Sequence, residues 1–598
     1  MARPSREDAD AEPVATSDSR PTTPPRWERA AARGELTGDG PHAISAGGVE
    51  LVALRTAGEL RVFEGRCPHQ GALLGEGELD ERALVCRNHR WRFDRESGQR
   101  VGGRQCLRRC PTREEDGVLL VDLSTLTPER AAPTAQRTLD DLPGPRGLPW
   151  LGSALSVDID HLHTQLEAMG RTYGEVYTLR LGRQRMLVTS NSALAETVSR
   201  SRPDLYRRLS VVEDVFTEMG IAGVFSAEGD AWRAQRRLAM GALAQRHLRG
   251  FYPTLSLVAA RLVRRWEAAA DAGRELDLAD ELKRFTVDVT TQLAFGHDMN
   301  TLEKDDDVIQ RHLELVFPAL QRRLNAVIPY WRWFRLPADR RLDRALAAVR
   351  SWIVELVATT RRRLETGDPT RGAEPTNFLE AMLLARDADG QPFSDDVIFG
   401  NTLTMLLAGE DTTAYTVAWA VHHLCDDAAA TAALREEIDA TLGELPLPRD
   451  AEQAATLAYA TAVANEAMRL RPVAPFAFHE PIHDVVLGDV RVPKGTPIVT
   501  LSRPAVLAEA TFRDPLTFAP ERWLAGWEGA HDAAASIPFG SGPRICPGRS
   551  LAILEMRVLL AAIYRSFHVE RVGHAEDVKE ISAFTMMPVG LRVRLRRR

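Results

Sequence analysis

The stretch Phe539–Gly548, FGSGPRICPG, constrains this chain more than any other. A single cysteine, Cys546, stands beside glycines with a permanent cation, Arg544, two residues before it. Gly542 and Gly548 allow a tight turn and let the backbone approach a flat ligand closely. Arg544 offers a guanidinium to a carboxylate. Such a loop presents a thiolate to a ligand; the plain alternative is a buried, unreactive cysteine.

With Phe539, Gly542, Arg544, Cys546 and Gly548 at their spacing, the stretch resembles the haem-binding loop of the cytochrome P-450 monooxygenases. The resemblance implies haem b, with Cys546 as the axial thiolate that pushes electron density onto the iron and favours O–O cleavage. Phe539, Arg544 and Gly548 are then cofactor-binding. Further stretches follow in that family's order. Leu142–Gly152 resembles the Pro/Gly start of the fold. Trp232 and Arg236 lie four apart on one helical face, where the family holds a haem propionate. His479 falls five residues before Asp484, where the family has an Arg or His on a propionate. Val473–Phe478 falls beside the iron. Glu466 and Arg469, three apart on a helix, join Arg522 in the family's buried ion network behind the haem, a structural role.

Ser394–Leu424 has a long helical pattern with Ser394 as its cap. Ala408-Gly409-Glu410-Asp411-Thr412-Thr413 lies at its centre. Gly inside a helix costs about 1 kcal/mol relative to Ala, so it wants a reason. The resemblance supplies one: a helix loosened over the haem, where dioxygen and water fit and Asp411 and Thr412 relay protons. A carboxyl beside a hydroxyl can do that chemistry. The plain alternative is a Thr-rich kink.

A second constellation is Cys67-Pro-His69, then sixteen residues, then Cys86-Arg-Asn-His89. Chance pairing of both His with both Cys is on the order of one in a thousand, so a metal site is expected. A four-coordinate zinc and an iron–sulfur centre with two Cys on one iron and two His on the other compete. The flanks Gly71, Ala72, Trp91, Phe93, Asp94 and Gly98 resemble the Rieske domains of bacterial ring-hydroxylating oxygenases and their ferredoxins. Arg90 and Asn88 depart from that pattern. The resemblance implies that Cys67, His69, Cys86 and His89 hold a Rieske 2Fe–2S cluster. The cluster loops lack the extra disulfide of respiratory Rieske proteins, which points to the low end of the range, about −150 mV. Arg87, Arg90, Arg92, Arg95, Arg100, Arg104, Arg108 and Arg109 form a solvated face or a docking surface for a redox partner.

The chain's 598 residues exceed one core. A net charge of −7 gives no bulk signal for nucleic acid. No apolar run approaches the ~20 residues of a membrane span, and the N-terminus reads as neither signal peptide nor anchor. A cytoplasmic location is expected, with six cysteines serving metal chemistry before disulfides. Arg far outnumbers Lys and Ala is abundant, which suggests a bacterial source. Val49–Arg55, Glu59–Gly65 and Gly117–Leu123 read as strands, and Val176–Gly182 with Arg185–Ser190 as a hairpin.

The expected organisation is a disordered tail over 1–26, a small all-β Rieske domain over 27–123, a linker over 124–141, and a mainly α cytochrome P-450 domain with minor β-sheets over 142–598. As a coil the linker spans about 23 Å and holds its ends at about millimolar effective concentration. The expected function is a haem–thiolate monooxygenase using dioxygen and a small organic substrate, fed by its own Rieske domain. No Gly-rich dinucleotide fingerprint opens a strand–helix unit, so a separate NAD(P)H-dependent flavoprotein reductase is expected. A peroxide-using enzyme and a redox or gas sensor are the alternatives. Asp411–Thr412 speaks against the first, and the absence of a recognisable output domain against the second.

Overall fold

In the computed structural model the described residues are 25–598 apart from 33, 35, 37, 39, 48, 57, 69–72, 81, 87–90, 102–104, 116, 127–134, 149, 183, 244, 305–310, 313–314, 325, 327–328, 367–374, 388–389 and 528–530. His69 and His89, the cluster-loop arginines Arg87, Arg90 and Arg104, and the expected tail up to residue 24 lie outside them. The chain divides into two compact units, Met1–Ala132 and Pro133–Arg598.

The first unit is built of short antiparallel strands. One sheet runs His42–Ala46, Val49–Thr56, Glu59–Glu64, Arg109–Cys110; a second joins Trp27–Ala32, Val118–Asp122 and Thr112–Glu115. The strand Val49–Thr56 lies between two cores because strand side chains alternate in direction. Leu51 and Ala53 enter one hydrophobic cluster, Val52 and Leu54 the other. The second cluster also takes Cys67, Leu74, Cys86 and Phe93. A third sheet, Glu78–Leu79, Ala83–Val85 and Arg92–Asp94, carries those loops.

The second unit is mainly helical around one large core, with a five-stranded sheet at its edge. The sheet order is Val176–Leu181, Gln184–Thr189, Ile498–Leu501, Phe476–Pro481, Tyr206–Arg208. Its register sets Arg208 opposite His479 and His479 opposite Ile498. The expected hairpin closes with Leu181 opposite Gln184. The central helix, Asp395–Leu424, is capped by Ser394, whose hydroxyl accepts the Val397 N–H. It packs along the helix Leu278–Phe295.

The expected loosening of the central helix is not what the fold shows. The helix runs unbroken from Asp395 to Leu424. Gly409 has a packing reason instead: a Cβ there would stand 2.7 Å from Thr290 Oγ1 on the neighbouring helix. At the same crossing Thr286 donates to the Glu410 carbonyl at 2.6 Å.

The stretch expected as linker is packed at both ends. Ser124–Leu126 belong to a 3-10 turn of the first unit. Gln136 and Arg137 donate backbone N–H bonds to the Asp489 carbonyl, both at 3.0 Å. The Arg137 guanidinium grips the Asp489 carboxylate with two bonds of 2.8 Å. Leu139 and Leu142 join a hydrophobic cluster of the second unit. Among the described residues no helix is long and apolar enough to cross a membrane.

Candidate active site

The cysteine loop is held by local bonds. Cys546 N–H donates to the Phe539 carbonyl at 2.9 Å, and Gly542 has φ of +69°. A Cβ on Gly542 would meet Arg200 Cα at 2.7 Å, so glycine is required for the loop to lie against the end of the helix Ser192–Arg200. Gly548 then caps the helix Arg549–Ser566, leaving Cys546 at its N-terminus. Cys546 is exposed, yet burial is the strongest influence on its thiol and pushes its pKa up. The sulfur therefore faces a space enclosed by protein. Backbone N–H groups of Gly548 and Arg549 and the charges of Arg236 and Arg549 pull the thiol back down. A helix N-terminus with cations favours a thiolate.

Beside the loop lies a cradle of cations. Arg544 donates to the Ala227 carbonyl at 2.8 Å and pairs with Glu228, with its guanidinium 4.3 Å over the buried Trp232 ring. Arg202 pairs with Glu228 at 3.1 Å and lies 3.4 Å from His479 Nε2. Arg208 donates through Nε to the Phe225 carbonyl at 2.9 Å. Burial, then repulsion by Arg202 among others, pushes both Arg208 and Arg544 down to about 9. His479 is held well below its ordinary range by burial and the same arginines. Among the described residues, three buried nitrogens here lack a partner: Arg202 Nε, Arg544 Nε and His479 Nδ1. Crowded cations and unmatched donors beside a thiolate loop suit a flat ligand carrying carboxylates; haem, with two propionates, fits. Trp232, Arg236, His479 and Arg544 are thus brought together, Arg236 being close enough to lower both Cys546 and Arg544. Arg202, Arg208 and Glu228 escaped the sequence reading: Arg208 arrives through strand register, and Glu228 is the residue just before the helix Gly229–Ala242 that carries Trp232.

On the central helix Thr412 donates to the Ala408 carbonyl at 2.9 Å. Asp411 is buried and faces Lys283 Nζ at 3.1 Å, with Glu410 on the same ammonium at 3.3 Å. Burial opposes the Lys283 charge, but the two carboxylates hold its pKa above the usual lysine range. Glu555, on the helix after Cys546, is pushed up to about 8 by burial and is bonded to Thr413.

Glu466, Arg469 and Arg522 form a buried ion network. Glu466 takes Arg469 at 2.9 and 2.7 Å and Arg522 at 3.0 Å. Trp523 donates its indole N–H to the same carboxylate at 2.8 Å. Arg469 and Arg522 bind the carbonyls of Pro515, Thr517, Arg513 and Asp514, tying the helix Ala458–Leu470 to the loop before the cysteine.

In the first unit Cys67 and Cys86 are both 1% exposed. Each begins a loop with a closed neck. Arg66 bridges Leu73, and Cys86 N–H donates to the Trp91 carbonyl at 2.8 Å. Arg100 lies 3.5 Å over the Trp91 ring, and Arg92 pairs with Asp80 at 2.6 Å. None of the six cysteines is in a disulfide.

A cysteine loop at a helix N-terminus, a cradle of cations and an acid next to a hydroxyl on the central helix fit a haem–thiolate enzyme. Residues 142–595 match the family model for cytochrome P450, and residues 26–112 match the Rieske [2Fe-2S] domain. The protein LUTEIN DEFICIENT 5 of Arabidopsis thaliana is 26% identical over 73% of this chain and 74% of its own length. A self-sufficient cytochrome P450 monooxygenase, CYP505E3, of Phanerodontia chrysosporium is 28% identical over 71% of this chain, which spans 40% of that relative. A cytochrome P450 crystal structure (CYP102L1) superposes with a TM-score of 0.66 at 26% identity, over 76% of this chain and 99% of the other. The chain belongs to the cytochrome P450 monooxygenase family and carries an N-terminal Rieske domain; its cofactors are haem and a 2Fe–2S cluster.

Proposed function

We propose that the chain inserts one atom of dioxygen into an apolar organic substrate and releases the other as water, consuming two electrons and two protons. The observation that carries this is buried Asp411 next to the partly exposed Thr412 on the central helix of a chain with the cysteine loop. Bound at Cys546, haem supplies dioxygen activation and accepts electrons.

The chain's own residues divide the remaining work. Arg202, Arg544 and His479 would hold the haem carboxylates, with Trp232 and Arg236 beside them. Lys283 holds the Asp411 carboxylate in an ion pair beside Thr412, and this acid and hydroxyl relay protons. Phe216, Phe225 and Phe584 form an apolar row, with ring centroids 5.4 Å apart for Phe216–Phe225 and 5.9 Å for Phe225–Phe584. Glu466, Arg469 and Arg522 support the cysteine loop without touching the chemistry.

Cys67, His69, Cys86 and His89 would hold the Rieske cluster, which would supply electron transfer from within the same chain. A separate NAD(P)H-dependent flavoprotein reductase loads the cluster. The Phanerodontia relative is named self-sufficient; here a Rieske unit precedes the haem unit. Covalent attachment raises the effective concentration of donor at acceptor. A cytoplasmic location suits this reading.

The test supplies full-length protein with a flavoprotein reductase, NAD(P)H and isotopically labelled dioxygen, after choosing a substrate by spectral shift from an apolar panel. One labelled oxygen in the product is expected, and its loss when Cys67 and Cys86 are replaced by alanine. An unlabelled product, or undiminished turnover without the two cysteines, overturns the proposal.

A further inference from the structure

Glu228 stands just before the helix Gly229–Ala242, where a side chain ordinarily caps the free N–H groups of the first turn. It makes no such bond. Its backbone carbonyl accepts the Trp232 N–H at 3.2 Å, while its carboxylate is spent on the cation cradle. Three other segments meet there. Glu228 Oε1 accepts Arg202 Nη2 at 3.1 Å and the Arg208 backbone N–H at 3.1 Å, and Oε2 pairs with Arg544. Arg202 follows the helix Ser192–Arg200, Arg208 ends the strand Tyr206–Arg208, and Arg544 ends the turn Gly542–Arg544 of the cysteine loop.

The Glu228 side chain is 11% exposed, and those of Arg202 and Arg544 are 5% and 6% exposed. At that burial, loss of one partner leaves the others uncompensated. The charges of the cradle do not balance within the protein. Arg202, Arg208, Arg236 and Arg544 bring four cations, and Glu228 answers one of them. Glu213 also acts on Arg544, but it is paired with Arg207. Three positive charges remain for the two carboxylates of haem. Arginines crowded in this way repel one another, so the cradle needs a fixed anion to hold its shape before the cofactor arrives.

We propose that Glu228 is a positioning residue for the cofactor: it gathers Arg202, Arg208 and Arg544 on one buried carboxylate, so that their remaining donors are set for the haem carboxylates, and its negative charge holds down the reduction potential of haem bound at Cys546. This rests on the cofactor and not on what the enzyme oxidises. Glu228 acts through the three arginines and takes no part in the chemistry at the iron.

The test uses full-length holoprotein carrying Glu228→Gln, Glu228→Asp or Asp230→Asn. Glutamine keeps an acceptor and removes the charge; aspartate keeps the charge and loses reach. Asp230 is the control, an acid of the same helix whose side chain is 99% exposed and pairs with Arg233. Transfer of haem to excess apomyoglobin should be about tenfold faster from both Glu228 variants, and at the parent rate from Asp230→Asn. In a redox titration without substrate, the ratio of reduced to oxidised haem at the parent's midpoint should rise about tenfold in Glu228→Gln, because loss of a buried negative charge favours the reduced iron. It should change less than about twofold in Glu228→Asp and Asp230→Asn. Parent transfer rates from both Glu228 variants overturn the proposal, as does an unchanged or lowered ratio in Glu228→Gln. Where Glu228→Gln yields no holoprotein, haem transfer from Glu228→Asp decides alone. Neither readout uses substrate, turnover or the Rieske unit, so a failure of the proposed oxygen insertion leaves both results readable.

Discussion

Lys283 and Asp411 face each other at 3.1 Å from two helices packed side by side, with Glu410 on the same ammonium at 3.3 Å. One cation therefore stabilises two buried carboxylates. Lys283→Met leaves those carboxylates against each other, and burial with like charge then favours protonation of at least one. Product formed per NAD(P)H should fall, with turnover down by about tenfold or more and haem content unchanged. Thr412→Ala should instead leave reductant consumption intact and divert it to hydrogen peroxide. Product yield equal to the parent in both variants removes the pair from proton delivery.

Cys546→Ser should abolish the red-shifted carbon monoxide band of the reduced haem, because an alcohol oxygen replaces the thiolate. The loop geometry does not depend on the sulfur: Cys546 N–H still reaches the Phe539 carbonyl. Retention of the band would place the ligand elsewhere.

Elemental analysis of the full chain should find two cluster irons and two acid-labile sulfides besides the haem iron, as its Rieske domain requires. Replacing Cys67 and Cys86 with alanine should remove the cluster irons and sulfides and spare the haem spectrum. One zinc with no sulfide would contradict the cluster.

Glu466→Gln removes the charge shared by Arg469 and Arg522, all three at most 1% exposed. Breaking a buried ion network costs about 3–5 kcal/mol. Denaturation of the holoprotein should show a loss of that order, with haem escaping at lower denaturant. A change under about 1 kcal/mol would mean the arginines' carbonyl contacts suffice.

Glu555 gives a pH signature. Burial pushes its carboxyl up to about 8, above its ordinary 4.5. Between those values the folded state holds a proton the unfolded state has lost, so this group's stabilisation is complete below the unfolded pKa and is lost as pH rises toward 8. Glu555→Gln should flatten that decline, so the variant gains in Tm relative to the parent as pH is raised from 5 to about 8. Parallel Tm curves would show that Glu555 ionises freely.

The thiolate loop was legible because its spacing is local: Phe539, Gly542 and Cys546 are joined by bonds within ten residues. The same holds for Glu466 and Arg469. The cradle was legible in part. Trp232 and Arg236 share a helix face, but Arg208 arrives through the pairing of Tyr206–Arg208 with Phe476–Pro481, a register no local pattern encodes. Glu228 is a stronger case, since Arg544 lies 316 residues away from it. Gly409 shows the opposite error: a functional reason was attached to a glycine whose immediate constraint is Thr290.

The grip of Arg137 on Asp489 decides where the chain can be severed. A fragment beginning at Leu142 keeps every residue assigned to the haem, yet strips Asp489 of both its guanidinium and its backbone partners and takes Leu139 from the cluster it helps fill. A cut between Leu126 and Gln136 spares these contacts as well as the last turn of the first unit.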